Sequence, residues 1–323
     1  MMTTTQENLE LEKLKSLYKK TIKIFGPPGT GKTHTLIEKV LKGHLKKGIL
    51  PSEMAFLSFT NKAVNTAVAR ATEAFPLYTT EDFYRFKTLH TYCRRYFSED
   101  VFDPKDCTID FALQTKIIKT SDQRLADDNF LYKDWSLGIY SKSRNLCVEP
   151  SEAYKRESYK TDSLDIFFRK IKTYEHYKKH GGEKPFIDFD DMIGRAINEI
   201  DFPALKVLII DEAQDFTPLQ WSVIYKMADK VKRIYLAGDD DQAIYAWAGA
   251  DVERFITEPA REIVLKHSRR ISKALQQQSE IPLSRIAGIR KHKKYLPRPV
   301  QGSAQHINNL GQVNLQEGNW LIL

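Results

Sequence analysis

The stretch that most constrains this chain is Gly26-Pro27-Pro28-Gly29-Thr30-Gly31-Lys32-Thr33. It fits the spacing G-x-x-x-x-G-K-[ST]. It stands between a compact β-branched run, "TIKIF" at 21–25, and a helical pattern, "HTLIEKVLKGHLKKG", closed by Gly48. Strand, glycine-rich turn and helix together are the setting that a phosphate-binding loop requires. The glycines let backbone N–H groups curl around a phosphate at a helix N-terminus. Lys32 is then placed to reach the β- and γ-phosphates, and the Thr33 hydroxyl to ligate Mg2+. An ordinary glycine-rich turn is the competing reading, and the complete pattern in register counts against it.

The same strand style recurs along the chain. "EMAFLSFT" (53–60) reads as a second buried strand, "NKAVNTAVARATEAF" as a helix, and "RFKTLHTYCRRYF" (85–97) as a short strand running into a helix. "FPALKVLIIDEAQD" (202–215) and "VKRIYLAGDDDQ" (231–242) return to apolar strand runs. Alternation of this kind predicts an α/β fold with a parallel sheet covered by helices. Residues 98–187 show no clear strand pattern and are rich in Tyr, Lys, Phe and Asp, which predicts a mostly helical insertion. "REIVLKHSRRISKALQQQ" (261–278) reads as strand, loop and helix. The expected organisation is a nucleotide-binding domain in two parts, 1–97 and 188–260, interrupted by the 98–187 insertion and followed by a further unit from 261 to 323.

"VLIIDEAQD" sets Asp211 and Glu212 just after four apolar residues. A buried strand would deliver them to the carboxyl edge of the sheet, where the phosphate loop also lies. Asp211 is a candidate for the Mg2+ hydration shell, and Glu212 for orienting and deprotonating a water. Beside a phosphate loop, the pair points to hydrolysis of a nucleoside triphosphate.

Composition narrows the partners. With 41% hydrophobic and 28% charged residues, the 323-residue chain falls in the ordinary range for a soluble globular protein. A net charge of +8 favours a polyanionic partner. No apolar run approaches the ~18 residues needed to span a bilayer, and the polar, acidic N-terminus is not a signal peptide. Cys93, Cys107 and Cys147 are far apart and lack a zinc or disulfide pattern, so a reducing cytoplasm is the expected compartment.

"GPPGTGKT", "FLSFTNKAV", "TLHTYC", "LIIDEAQD" and "LAGDDDQAIYAWAGAD" occur in this order. Together, and with "DFDDMI" at 188–193, they resemble the motor of UvrD/Rep-type superfamily 1 DNA helicases over roughly residues 20 to 275. The resemblance implies a RecA-like fold, ATP and Mg2+ as fuel and cofactor, and single-stranded DNA or a single-strand/duplex junction as partner, in a bacterial or phage-infected cell. It implies that Gln242 contacts the γ-phosphate, that Trp247 and Phe59 pack against bases, and that Tyr245 lies on the same segment as Trp247. Aromatic stacking of that kind holds DNA without reading sequence. Thr60 and Asn61 are candidates for backbone contacts, and His90 is open between such a contact and a local role in a turn. Arg270 aligns with an arginine that reaches the γ-phosphate across a cleft from a second motor domain, with Arg269 just before it.

Three departures qualify the resemblance. An adenine-reading glutamine is usual ahead of the phosphate loop, and only Gln6 is present there, so preference for ATP rests on resemblance alone. The later blocks of the second motor domain are absent, and the chain stops at "NWLIL". The expectation is therefore a helicase cut short, with weak ATPase, little strand separation, and a missing C-terminal half or replication and repair proteins as further partners. An ATP- and DNA-binding regulatory fragment without unwinding activity is the alternative; a clamp-loader-type ATPase is disfavoured by the aromatic loop. Basic stretches at 261–300 and at 167–180 ("FFRKIKTYEHYKKH") are read either as parts of a nucleic-acid path or as solvated faces.

Overall fold

The computed structural model describes residues 15–98, 134–181, 185–286, 288 and 290–303. Gln6, Cys107, the first part of the insertion and the terminal "NWLIL" lie outside the described residues.

Among the described residues, six strands form one all-parallel sheet in the order β3-β2-β4-β5-β1-β6. They are β1 (Thr21–Phe25), β2 (Met54–Ser58), β3 (Phe86–Thr88), β4 (Leu205–Ile210), β5 (Val231–Gly238) and β6 (Arg261–Val264). β1, β2 and β4 read as near-continuous apolar runs because both faces of the sheet are covered. Alternate residues divide between two cores. Ile22, Ile24, Met54, Phe56, Val207 and Ile209 pack on one side, and Phe25, Ala55, Leu57, Leu208 and Ile210 on the other.

The first side is covered by α1 and α2. α1 begins as α-helix (Lys32–His34), passes through a π-helical stretch (Thr35–Leu41) and ends as α-helix (Lys42–Leu45). α2 (Asn61–Ala74) is N-capped by Thr60, whose hydroxyl oxygen accepts from the Ala63 amide at 3.3 Å. The second side is covered by α3 (Leu89–Arg94) and by two helices after the insertion, described below.

Within the described part of the insertion lie α4 (Trp135–Leu146), α5 (Pro150–Arg156) and α6 (Leu164–His180). α7 (Phe189–Glu199) and α8 (Pro218–Ala228) then complete the second face of the sheet. "DFDDMI" is the anchor of the insertion. Asp188 caps α7, and Arg144 from α4 reaches Asp188 at 2.9 Å, Asp190 at 3.0 Å and Asp191 at 3.1 Å. Lys178 from α6 adds Asp188 at 3.2 Å and Asp191 at 2.6 Å. Burial works against the Asp188 charge, but Arg144 and Lys178 outweigh it and hold the carboxyl well below the usual carboxylate range.

The basic-aromatic stretch 167–180 divides between two faces: Phe167, Tyr174 and Tyr177 are core residues of the insertion and Lys170 and Lys178 are held by carboxylates, while Phe168, Arg169, Lys172 and Lys179 are exposed. One reading is corrected here. Residues 261–264, expected to open a second unit, instead pair as β6 with β1 at the edge of the first sheet, Val264 opposite Phe25. α9 (Val252–Thr257) precedes β6, and α10 (Lys273–Arg285) follows it.

Candidate nucleotide and nucleic-acid site

β4, β5 and β1 are neighbours, so their carboxyl ends bring three loops together. From β1 comes the phosphate loop, tied to β5 by the Gly26 amide donating to the Gly238 carbonyl at 3.0 Å. Gly29 and Gly31 have φ of 72° and 87°, a left-handed conformation that a side chain would strain. A Cβ on Gly26 would fall 1.9 Å from Lys32 Cγ, so the loop also needs glycine for closeness. Lys32 Nζ lies 3.3 Å from the Gly26 carbonyl and 3.5 Å from Glu212 Oε2.

From β4 come Asp211 and Glu212. Thr33 Oγ1 donates to Asp211 Oδ2 at 2.8 Å. Burial, and secondarily the Glu212 charge, pushes Asp211 up to about 6. A hydroxyl beside a buried carboxylate that resists ionisation suits a hard cation, which would stabilise its charged form. Among the described residues no group of three or more His, Cys, Asp or Glu is placed to hold a metal. Mg2+ held here would therefore take most of its ligands from phosphate oxygens and water, its usual preference. Glu212 itself is left-handed, φ 54°, a strained backbone for a non-glycine residue.

From β5 comes the Gln242 loop. Gln242 lines the same cleft as Lys32, Thr33, Glu212 and Arg270, a space of about 330 Å³, and its Nε2 donates to Asp239. Arg270 reaches this cleft because residues 268–270 pack on the phosphate loop. Ser268 Oγ donates to the Pro28 carbonyl at 2.7 Å, and the Arg269 amide to the Gly29 carbonyl at 2.9 Å.

Two features were not read from sequence. Thr66 and Arg70, one turn apart on α2 and flanking its buried stripe of Val64, Ala67 and Ala71, also line the cleft; the i, i+4 spacing beside that stripe is the sequence signal for them. Gln214 is a junction: its Nε2 lies 3.2 Å from Glu212 Oε2 and 2.9 Å from Asp215 Oδ2, and its Oε1 accepts from the Asp239 amide at 3.0 Å. It thus joins the β4 carboxylates to the β5 loop.

Behind this loop are the aromatics. Phe59 and Tyr245 sit 4.9 Å apart, ring centre to ring centre, and line a cavity of about 200 Å³ with His90, Asp215 and Thr217. A second cavity, about 420 Å³, shares Phe59 and His90 with the first and extends to Asn61, Thr88 and Arg94. Burial pushes His90 down to about 4, so it stands neutral at physiological pH beside Phe189. Thr60 and Asn61 are exposed at the start of α2. Trp247 is 57% exposed on the short turn Ala246–Ala248 and does not line either cavity.

A parallel sheet whose adjacent carboxyl ends carry a glycine loop with Lys32 and Thr33, an acidic pair and a glutamine loop defines a RecA-like P-loop fold. Residues 7–260 match the UvrD/REP helicase N-terminal domain, and the chain belongs to that family. It is similar to the ATP-dependent DNA helicase PcrA of Staphylococcus epidermidis, 25% identical over 285 residues, covering 77% of this chain and 36% of the relative. The PcrA of Staphylococcus aureus is 24% identical over 282 residues, covering 78% and 36%. The chain thus spans about a third of the length of these relatives. Among solved structures, one described as the structure of PRRSV helicase aligns with 93% of this chain and 40% of that one, at a TM-score of 0.37 and 11% identity.

Proposed function

We propose that this chain binds ATP with Mg2+ and hydrolyses it in response to single-stranded DNA, as the first motor half of a superfamily 1 DNA helicase. One observation carries the reading: Gln242 lines the Lys32 cleft, and Tyr245, three residues on, pairs with Phe59 beside an open cavity.

Lys32 binds the β- and γ-phosphates, while the loop amides between Gly26 and Lys32 surround them. Thr33 and Asp211 would hold Mg2+, which when bound neutralises charge on the phosphate oxygens. Glu212 orients the attacking water and takes its proton. Arg270 brings a second cation to the γ-phosphate side of the cleft, and Gln242 senses that phosphate from the β5 loop. Phe59, Tyr245 and the exposed Trp247 offer faces to bases, with Thr60 and Asn61 toward the backbone. Translocation, unwinding, and partners among replication and repair proteins belong to the same proposal, as does a site of action inside the cell. Among the described residues no helix is long and apolar enough to cross a membrane.

Multiple-turnover ATPase with and without oligo-dT tests the reading. Stimulation that Lys32→Ala and Glu212→Gln abolish, with ATP binding retained only in Glu212→Gln, supports it. Tight binding of ATP and DNA with no turnover would replace it with the regulatory alternative.

A further inference from the structure

The three consecutive aspartates ahead of Gln242 have a partner. Lys293 Nζ lies 3.0 Å from Asp239 Oδ1 and 3.0 Å from Asp241 Oδ2, and also donates to Asp240 Oδ1. Its side chain is fully buried. An ammonium has three N–H donors, and here each finds a carboxylate. Arg290 grips Asp241 with Nε and Nη2, both at 2.6 Å, and the Lys291 amide donates to Asp240 Oδ2 at 2.7 Å.

The segment that supplies these groups runs beside residues 266–268. The Leu296 amide donates to the Lys266 carbonyl at 2.7 Å, and the Ser268 amide to the Leu296 carbonyl at 2.8 Å. Ser268 is the residue whose hydroxyl holds the Pro28 carbonyl of the phosphate loop.

We infer that Lys293 is a positioning residue for Gln242. The inference rests on the proposed function in one respect, that Gln242 senses the γ-phosphate. Asp239 transmits the effect: one oxygen faces Lys293 and the other accepts from Gln242 Nε2. The Asp239 amide also donates to Gln214, which touches Glu212. With the Asp239 carboxylate fixed, one amide hydrogen of Gln242 is committed and the second is aimed by the same geometry. Burying an ion cluster is not an efficient way to stabilise a fold, since apolar side chains of similar volume often do as well. What the cluster supplies is direction. It makes the Gln242 amide depend on residues 290–296, which lie beyond the last strand of the sheet.

The test compares the wild type, Gln242→Ala, Lys293→Met paired with Asp240→Asn to offset the lost charge, and the variant carrying all three changes. The readout is the ratio of affinities for ATPγS and ADP, measured with fluorescent competitors in the full chain; a merely structural loss would not move this ratio selectively. Lys293→Met/Asp240→Asn is expected to lower the ratio about as far as Gln242→Ala, with ADP affinity within about threefold of wild type. Adding Gln242→Ala to it should lower the ratio no further, because residues acting as one unit are non-additive. Lys293→Arg/Asp240→Asn, which keeps a cation, should recover part of the ratio. An unchanged ratio, or losses that simply multiply, overturns the role of Lys293 and leaves the proposed function standing. A wild type that does not favour ATPγS over ADP, or a Gln242→Ala ratio equal to wild type, overturns both. Loss of ADP binding in the Lys293 variant would show a structural role only and overturns the inference.

Discussion

Thr33 and Asp211 are 178 positions apart in the chain and share a hydrogen bond of 2.8 Å. The contact joins the first turn of α1 to the residue that follows β4, and on the proposed function these are the two groups that would hold Mg2+. Asp211 is also buried, and that burial, against the pull of the Thr33 hydroxyl, has a consequence for pH.

Asp211 is pushed up to about 6, by burial first and the Glu212 charge second. An unfolded Asp has released its proton by about pH 4. Between those values the folded protein holds a proton that the unfolded chain does not. The contribution of this group to stability therefore falls as pH rises from about 4 to about 6, and is flat above. Two pH units correspond to roughly 2–3 kcal/mol. Urea midpoints at pH 4.5 and 7.5 without Mg2+ should show wild type losing on the order of 2 kcal/mol relative to Asp211→Asn across that range. Equal pH slopes would mean that Asp211 is already ionised in the folded protein.

Arg144 ties α4 to three carboxylates at the start of α7. Arg144→Ala leaves Lys178 to offset them, and removing one partner of a buried cluster costs about 3–5 kcal/mol. Thermal unfolding should show that loss. Arg144→Lys should restore only part of it, because one ammonium cannot reproduce the guanidinium fork. A variant as stable as wild type would show that the cluster is accessible to water.

Phe59 and Tyr245 pair beside a cavity, while Trp247 stands exposed on the next turn. Each alanine variant should weaken oligo-dT binding by ~1–3 kcal/mol and leave ATP affinity alone. Fluorescence anisotropy measures the first effect. Trp247→Ala should do so with an unchanged melting temperature, since the ring contributes little to the core. Unchanged DNA affinity in all three would remove this face from the track.

Much of the fold was legible because its signals are local. The apolar runs of β1 and β4, the glycines at positive φ, and Lys32 and Thr33 at the helix start all lie within a few residues of what they specify. The meeting of Thr33 with Asp211 followed from topology, since parallel strands put their carboxyl ends on one edge. What escaped was long-range pairing. Lys293, Arg290 and Lys291 read as part of a basic run, yet they face Asp239, Asp240, Asp241 and Glu262. A charge run on its own does not reveal which members find buried acids. Gln214 is not legible in the sequence for a similar reason: its two neighbours at Glu212 and Asp215 are local, but the Asp239 amide that fixes its carbonyl comes from another strand.

On the proposed function ATP and DNA share the Gln242–Trp247 loop, so the direct measurement is the affinity for oligo-dT with and without a non-hydrolysable ATP analogue. Wild type should show a severalfold change in DNA affinity on adding the analogue, and Gln242→Ala should lose that change while still binding each ligand. An equal change in Gln242→Ala, or none in wild type, would contradict the claim that this loop links the two sites.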